Sequence, residues 1–294
     1  MGEKTAKICT ALLLAALAAL GFLLYGNNSI QRSTFHLSVD KLPRDHPGLR
    51  IVHISDLHGK RFGQHNRRLA RAIVRLEPDL ILVSGDMIDS HDDDGSPFID
   101  LLHELQQRYP IYCSLGNHEQ IVEGMTGTER YTRFAAAVEK AGAVLLDNER
   151  AEFMKGGTAF GIYGFTSALY HYSSESMAEI WEDAALKTAF IEEKLGLPRD
   201  EEVSILLAHN PKYFPEYVGW GPDLICAGHI HGGVVRLPFW GGVLSPDKTF
   251  FPPYSAGLYR SEKTSMHVSR GLGNSVIPFR IFNRPDLSLI IMKP

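Results

Sequence analysis

Ile51-Val52-His53-Ile54 runs straight into Ser55-Asp56-Leu57-His58, and the pattern returns when Leu80-Ile81-Leu82-Val83 runs into Ser84-Gly85-Asp86-Met87-Ile88-Asp89. Short apolar runs rich in β-branched residues and closed by Gly or a polar residue read as strands buried on both faces. Between them, Asn66 to Leu76 sets Leu69, Ile73 and Leu76 at helical spacing, with Arg67, Arg71 and Arg75 on the opposite face. A strand, a helix and a second strand make a crossover, so the two strands are expected to be parallel. Three later runs end the same way: Ile111 to Leu115 into Gly116-Asn117-His118, Val203 to Ala208 into His209-Asn210, and Leu224 to Ala227 into Gly228-His229. Arg130 to Lys140 and Ser176 to Leu195 read as helices, and the Gly- and Pro-rich stretch from Gly232 onward reads as an antiparallel sheet. The expectation is an α/β fold with mixed sheets in one main domain.

The chain has 294 residues, 44% hydrophobic and 22% charged, the balance of a globular protein with a sizeable core. Thirty basic against 34 acidic residues give a net charge of −4, without the basic excess of a nucleic-acid binder. The arginine stripe of the first helix reads as a solvated face, its alternative being contact with anionic headgroups. Three cysteines exclude a disulfide scaffold; Cys9 lies in an apolar run, and Cys113 and Cys226 lie in strands as reduced core residues.

Ile8 to Ile30 carries no charged residue and is long enough to span a membrane, with Lys4 and Lys7 before it. The positive-inside rule keeps that end in the cytoplasm and sends the domain out. A cleaved signal peptide is the alternative, with Ala16-Leu17-Ala18 as its cleavage site, but the apolar run continues through Leu24. Residues 1–25 are therefore expected to be an anchor, 26–48 a polar linker (Gly26-Asn27-Asn28-Ser29) and lead-in strand, and 49–294 the domain. The expected location is the cell membrane, single-pass, with the domain extracytoplasmic.

The chemistry gathers where strands end. Asp56 and His58 follow the first strand, Asp86 and Asp89 the second, Asn117 and His118 the third, His209 the fourth, His229 and His231 the fifth. Sites in open α/β sheets form beyond the carboxyl ends of the strands. Imidazole and carboxylate donors suit Zn, Mn, Fe or Co, and there are more donors than one ion needs. An Asp-x-His pair alone arises by chance; the ordered set does not.

In the order Asp56-x-His58, Gly85-Asp86-x-x-Asp89, Gly116-Asn117-His118-Glu119, His209, Gly228-His229-x-His231, the chain resembles the calcineurin-like metallophosphoesterases over Leu49 to Pro294. Phe62-Gly63-x-x-Asn66 and Gly271-Leu272-Gly273 are similar to a bacterial membrane-associated branch of that family. The resemblance implies a four-layer α/β/β/α sandwich of two mixed β-sheets flanked by helices. It implies one divalent ion on Asp56, His58, Asp86 and His231, and a second on Asp86, Asn117, His209 and His229. It makes His118 the residue that protonates the leaving oxygen or stabilises transition-state charge, with Asp89 orienting it. Protein phosphatases of the family continue the second block with Asp-Arg-Gly; here Asp89 is followed by Ser90-His91, which argues against that activity.

The implied reaction is hydrolysis of a phosphodiester, pyrophosphate or phosphomonoester by a metal-activated hydroxide. The anchor points to a lipid-linked or cell-envelope substrate. A metal-stabilised binding module without catalysis is the rival reading, and a nuclease a third that the acidic domain disfavours. Arg61, Phe62 and His65 are expected to line the substrate pocket; Tyr170, His171 and Tyr172 lie in a mid-chain loop, with pocket lining as the alternative to a structural role. His53 is expected as a satisfied core histidine, His91 to Asp94 as a solvated turn, and Glu119 as structural.

Overall fold

The computed structural model describes residues 2–172, 185–246, 248–274 and 277–294. Helix α1 (Gly2–Asn28) has no buried residue, and its most apolar window has a mean hydropathy of 2.4. At 1.5 Å per residue it spans about 40 Å, long enough to cross a membrane. Its exposure excludes a core helix. Gly26 to Asn28 is the last turn of α1 rather than a free linker. Asn27 and Asn28 each donate their side-chain amide back to the helix, to the Leu23 and Leu24 carbonyls at 2.8 and 2.9 Å.

Two six-stranded sheets follow. The first has the order β1-β14-β2-β3-β4-β5, with β1 (Gln31–Ser38), β2 (Leu49–Ile54), β3 (Leu80–Ser84), β4 (Ile111–Ser114), β5 (Val144–Leu146) and β14 (Asp286–Lys293). Strands β2 to β5 are parallel, with Ile51 opposite Leu80 and Ile81 opposite Ile111. The expected crossover helix is α2 (Arg67–Val74), which buries Leu69, Ala70 and Ile73. Helices α3 (Ser96–Leu105), α4 (Asn117–Ile121) and α5 (Thr128–Lys140) precede and follow β4.

The second sheet has the order β12-β13-β9-β8-β7-β6. Its strands are β6 (Glu149–Lys155), β7 (Thr158–Phe165), β8 (Val203–Ala208), β9 (Leu224–Ala227), β12 (Gly257–Ser261) and β13 (Thr264–Val268). Helices α6 (Thr188–Leu195) and α7 (Phe214–Trp220) flank it. Of the helix expected over Ser176 to Leu195, residues 173–184 lie outside the described residues.

Side-chain alternation along the strands builds three cores. Ile51, Leu80 and Leu82 meet Ile205, Leu207, Leu224 and Cys226 between the sheets. Val52, Ile54, Ile81 and Val83 face α2, α3 and α5, while Leu206, Ala208 and Ile225 face α6 and α7. The result is the four-layer α/β/β/α sandwich. Cys113 and Cys226 are free and buried in different sheets. The expected C-terminal antiparallel sheet is corrected. Among the described residues of this stretch, β10 (Val235–Leu237) with β11 (Gly241–Leu244), and β12 with β13, form local antiparallel pairs. β13 runs parallel to β9, and β14 inserts between β1 and β2. Strand β14 is apolar on both faces, Leu287 and Leu289 toward the helices and Ile290 and Met292 between the sheets, so it belongs in a sheet interior.

Phe62 is 1% exposed and packs in the core under α2 and α3, so it has no surface to offer a substrate. Replacing it with Ala is expected to cost about 3–5 kcal/mol of stability, measured by denaturant unfolding. The KM of the folded fraction should stay unchanged; a raised KM without loss of stability would return Phe62 to the pocket.

Candidate metal centre

Five parallel strands from the two sheets release their chains at one end of the sandwich. Asp56 and His58 leave β2, Asp86 leaves β3, and Asn117 and His118 open α4 after β4. From the second sheet, His209 leaves β8, and His229 and His231 leave β9. The side chains converge in three overlapping groups: Asp56, His58 and His231; His58, Asp86 and His118; Asp86, His209 and His229. His209 Nε2 lies 3.0 Å from Asp86 Oδ2 and 3.8 Å from Asp56 Oδ1. His231 Nε2 lies 3.3 Å from Asp56 Oδ1, and His58 Nε2 lies 3.6 Å from Asp86 Oδ2. His58 and His231 face each other through Nε2 at 3.1 Å.

This convergence is held in a costly backbone. Asp56, His58, Asp86, His229 and His231 all have φ between 44° and 66°, the left-handed region that non-glycine residues rarely occupy. Each such residue costs on the order of 1 kcal/mol or more, and such strain persists only where surroundings over-determine it. The Glu119 carboxylate supplies much of that constraint. It accepts hydrogen bonds from the N–H groups of Asp86 (2.9 Å), Met87 (2.7 Å), Ile88 (3.2 Å) and Gly116 (2.8 Å). Asp86 Oδ1 accepts from His118 N and Asp56 Oδ1 accepts from His229 N, both at 2.9 Å. Gly85 has φ 94°, and a Cβ there would stand 2.5 Å from the Gly116 nitrogen, so only glycine lets the β3 and β4 loops meet.

Buried polar atoms are normally hydrogen-bonded. Asn117 Oδ1 and His209 Nε2 are buried without a hydrogen-bond partner; the 3.0 Å approach of His209 to Asp86 lacks hydrogen-bond geometry. The other nitrogen of His209 donates to the Ser84 carbonyl at 2.6 Å, which aims the Nε2 edge into the cluster. An orphaned imidazole nitrogen beside two buried carboxylates fits a divalent ion.

The electrostatics agree. Burial pushes the Asp56 carboxyl up, with Asp86 adding to it. Burial also opposes ionisation of Asp86, but His209 and His118 outweigh it and hold Asp86 well below the usual range. His209 is raised to about 9, Asp86 and Asp56 overcoming the effect of burial. Burial lowers His118 and His231.

His118 Nδ1 accepts from the Ser90 N–H at 3.0 Å, while Asp89 Oδ2 stays 3.8 Å away. Asp89 also lies 3.5 Å from His58 Nδ1 and accepts from His91 N at 2.8 Å, so it stands beside His118 while the hydrogen bond to Nδ1 comes from the backbone. Arg61 and His65 both turn to Asp100, and Phe62 is in the core, so these three do not gather at the cluster. Tyr172 does: its ring lies 5.1 Å from His229 and 6.0 Å from His209. His171 points into protein instead, its carbonyl accepting from Asn210 and Tyr213.

His53 is a core residue as expected, bonded to His267 Nδ1 (2.7 Å) and Ser84 Oγ (2.8 Å). Asp93 and Asp94 accept from backbone N–H groups in a turn. The sequence reading missed Arg280 and Asn283. Arg280 Nη2 lies 3.2 Å from His231 Nδ1, and Asn283 Nδ2 donates to the His231 carbonyl at 2.6 Å. Their one local signal is polar residues set inside an aromatic run, Phe279-Arg280-Ile281-Phe282-Asn283.

Residues 49–233 match the family described as calcineurin-like phosphoesterase. The uncharacterized metallophosphoesterase YkuE of Bacillus subtilis is 28% identical over 257 residues, 86% of this chain and 82% of that protein. Phosphodiesterase YaeI of Escherichia coli is 28% identical over 249 residues, 82% of this chain and 81% of that protein. A transmembrane protein with metallophosphoesterase domain from Danio rerio is 28% identical over 264 residues, 87% of this chain but 56% of that longer protein. Among solved structures, the phosphopantetheinyl hydrolase PptH of Mycobacterium tuberculosis aligns with a TM-score of 0.46 at 15% identity, covering 77% of this chain and 89% of that one. The chain belongs to the calcineurin-like phosphoesterase family and is a hydrolase acting on phosphoric esters. Proteins of this family use a dimetal centre, and the clustered donors fit one.

In the metal-free fold the His209 proton is held up to about pH 9 and must leave before Nε2 can bind an ion. Apparent metal affinity should therefore fall as pH drops below 9. Calorimetry in buffers of different ionisation enthalpy should read a proton released on ion binding at pH 7, and no release would refute the assignment of His209. Glu119→Gln should weaken metal binding about 10- to 100-fold, because the amide cannot accept all four N–H groups.

Proposed function

We propose that this calcineurin-like phosphoesterase is a membrane-anchored two-metal hydrolase that cleaves a phosphodiester, pyrophosphate or phosphomonoester on a lipid or cell-envelope molecule. Asp56, His58, Asp86 and His231 take one ion; Asp86, Asn117, His209 and His229 take the other, with Asp86 shared. The observation that carries this assignment is the strand-end cluster of Asp and His donors, in which His209 Nε2 is buried without a hydrogen-bond partner, as is Asn117 Oδ1 at the start of α4. Nitrogen and carboxylate donors together favour Mn, Zn, Fe or Co. When bound, the ions supply positive charge for phosphoryl oxygens and acidify water to a nucleophile at neutral pH.

The protein's own groups complete the site. Because the Ser90 N–H donates to His118 Nδ1, the neutral ring carries its hydrogen on Nε2. Burial keeps that ring neutral at pH 7, so His118 acts as a hydrogen-bond donor to charge developing on the phosphoryl or leaving oxygen. Asp89 is a positioning residue: it meets His58 directly and turns the Ser90 segment toward His118 by accepting from His91 N. Tyr172 walls the His209 and His229 side.

The lipid or envelope substrate is supported by where α1 ends. Asn27, in its last turn, accepts from Arg280 N at 2.9 Å and from Lys60 Nζ at 2.5 Å, through Oδ1 and its carbonyl respectively. Arg280 touches His231, and Lys60 is two residues from His58. A bilayer holding α1 would lie within a few side chains of the cluster. Residues 1–25 serve as the anchor in this reading, and Lys4 and Lys7 orient the domain away from the cytoplasm.

The test uses the full chain in detergent, stripped of metal and assayed on chromogenic phosphodiester and phosphomonoester with Mn²⁺, Zn²⁺, Co²⁺ or no ion. Turnover should return with metal, vanish in Asp86→Asn, and fall about 10²- to 10⁴-fold in His118→Ala with metal binding retained. A folded protein that binds two ions but turns over neither substrate would refute activity on simple esters. A reporter at the C-terminus should be active only outside the cytoplasm; cytoplasmic signal would reverse the orientation.

A further inference from the structure

A cavity of about 380 Å³ lies between the end of α1 and the β10–β11 hairpin, beside the metal centre but outside it. Four arginines line it: Arg236, Arg270, Arg280 and Arg284. Arg270 is paired with Asp286 at 2.8 Å. The other three bond only uncharged acceptors among the described residues. Arg236 donates to the Gly232 carbonyl (3.2 Å), Arg284 to the carbonyls of Ser29 (3.2 Å) and Ile30 (3.1 Å), and Arg280 to the carbonyls of Arg270 and Gly273. Arg280 is 3% exposed and its N–H groups are all taken by Asn274, His231, Arg270 and Gly273, so it lends the cavity charge rather than donors.

The remaining walls are apolar, and two of them, Phe22 and Tyr25, belong to α1 itself. Phe22 stacks at 5.4 Å on Phe282, and Arg284 sits over the Tyr25 ring at 5.3 Å. Around the mouth, six aromatic side chains stand out into solvent: Phe239, Trp240, Phe250, Phe251, Phe279 and Phe282, between 45% and 107% exposed. They form one surface. Val235 bridges Ile281, Phe250 bridges Leu244, and Trp240 lies 6.2 Å from Phe251. A contiguous exposed aromatic patch of this size marks an interaction surface. This one is continuous with the exposed face of the apolar helix through the Phe22–Phe282 contact.

We infer that this face lies in the bilayer surface and that the arginine cavity binds the phosphate headgroup of an anionic phospholipid from the membrane that α1 enters. Arg236 and Arg284 keep N–H groups without a protein acceptor among the described residues, and these match a phosphate in charge and fork geometry, with the Arg280 charge behind them. The α1 side chains and the aromatic rim match the acyl chains below it. A soluble anion would use the arginines but leave the aromatic surface without a role. Arg280 belongs to both places, so the bound headgroup sits one guanidinium away from His231. The inference rests on α1 residing in a membrane, and its test reads binding rather than turnover, so it can fail while the hydrolase reading stands.

The metal-stripped full chain in detergent is offered phosphatidic acid and phosphatidylcholine of equal chain length, and bound lipid is counted by native mass spectrometry. Phosphatidic acid should be preferred about tenfold or more. The Arg236→Gln/Arg284→Gln double variant, with an unchanged melting curve, should lose that preference. In nanodiscs, the fluorescence difference between wild type and Trp240→Phe isolates Trp240, which acyl-brominated lipid should quench. No preference in the wild type, a preference that survives in the folded double variant, or an unquenched Trp240 would each overturn the inference. Displacement of phosphatidic acid by an equal concentration of glycerol 1-phosphate would overturn it too, by assigning the cavity to free phosphate.

Discussion

The Glu119 carboxylate, 2% exposed beneath the strand ends, is the contact on which the site's geometry depends. Its two oxygens take the N–H groups of Asp86, Met87, Ile88 and Gly116, and so join the loop after β3 to the loop after β4. With the His58 N–H on the Asp86 carbonyl at 3.1 Å, Glu119 holds Asp86 in the left-handed region while the Asp86 carboxylate lies 3.0 Å from His209. The cost is visible in the charges. Burial and the neighbouring Asp86 both push the Glu119 carboxyl up, so this anion is tolerated only because backbone dipoles face it. The chain thus spends one buried carboxylate on geometry to place two others for chemistry.

Neither sheet owns the centre. Asp56, His58, Asp86 and Asn117 come from the first sheet, and His209, His229 and His231 from the second. The apolar layer between the sheets stops short of the strand ends. There a polar set replaces it, including the His53–His267 contact, which crosses from β2 to β13. Ions bridging the two ligand sets would cross-link the sheets, so metal binding and fold stability are the same free energy at this end of the molecule. Extensive apolar packing elsewhere leaves the sandwich able to carry five strained positions in the strand-end cluster.

The N-terminal helix is attached to this centre rather than tethered near it. Asn27 exchanges two hydrogen bonds with the backbone of Arg280, at 2.9 and 3.2 Å, and Arg280 reaches His231. Strand β1, directly after the helix, pairs with β14, directly after Arg284, over eight residues. The two chain ends therefore grip each other along a strand and again at the helix terminus. The apolar helix is thereby fixed in direction relative to the strand-end cluster.

Sequence alone determined the elements and the chemistry. Apolar runs and helical periodicity are local: short runs marked all five site strands, 3.6 spacing marked helix α2, and one long uncharged run marked the N-terminal helix. The ligand types were legible because each follows a strand, and strand ends are where α/β sheets build sites. What the sequence could not contain was pairing at long range. Phe62 stands among pocket-like neighbours in the chain, yet packs into the core because the loop is turned by the buried Asn66, which accepts from Phe62 N and donates to Pro97 O. Asp89 matches an orienting role in sequence, but the fold gives His118 a nearer donor in Ser90. The arginine cavity draws on residues 22 to 284, and the Asn27–Arg280 bonds close a separation of 253 positions. Such contacts are set by how the two sheets and the termini pack, and a local pattern of hydrophobicity carries no record of it.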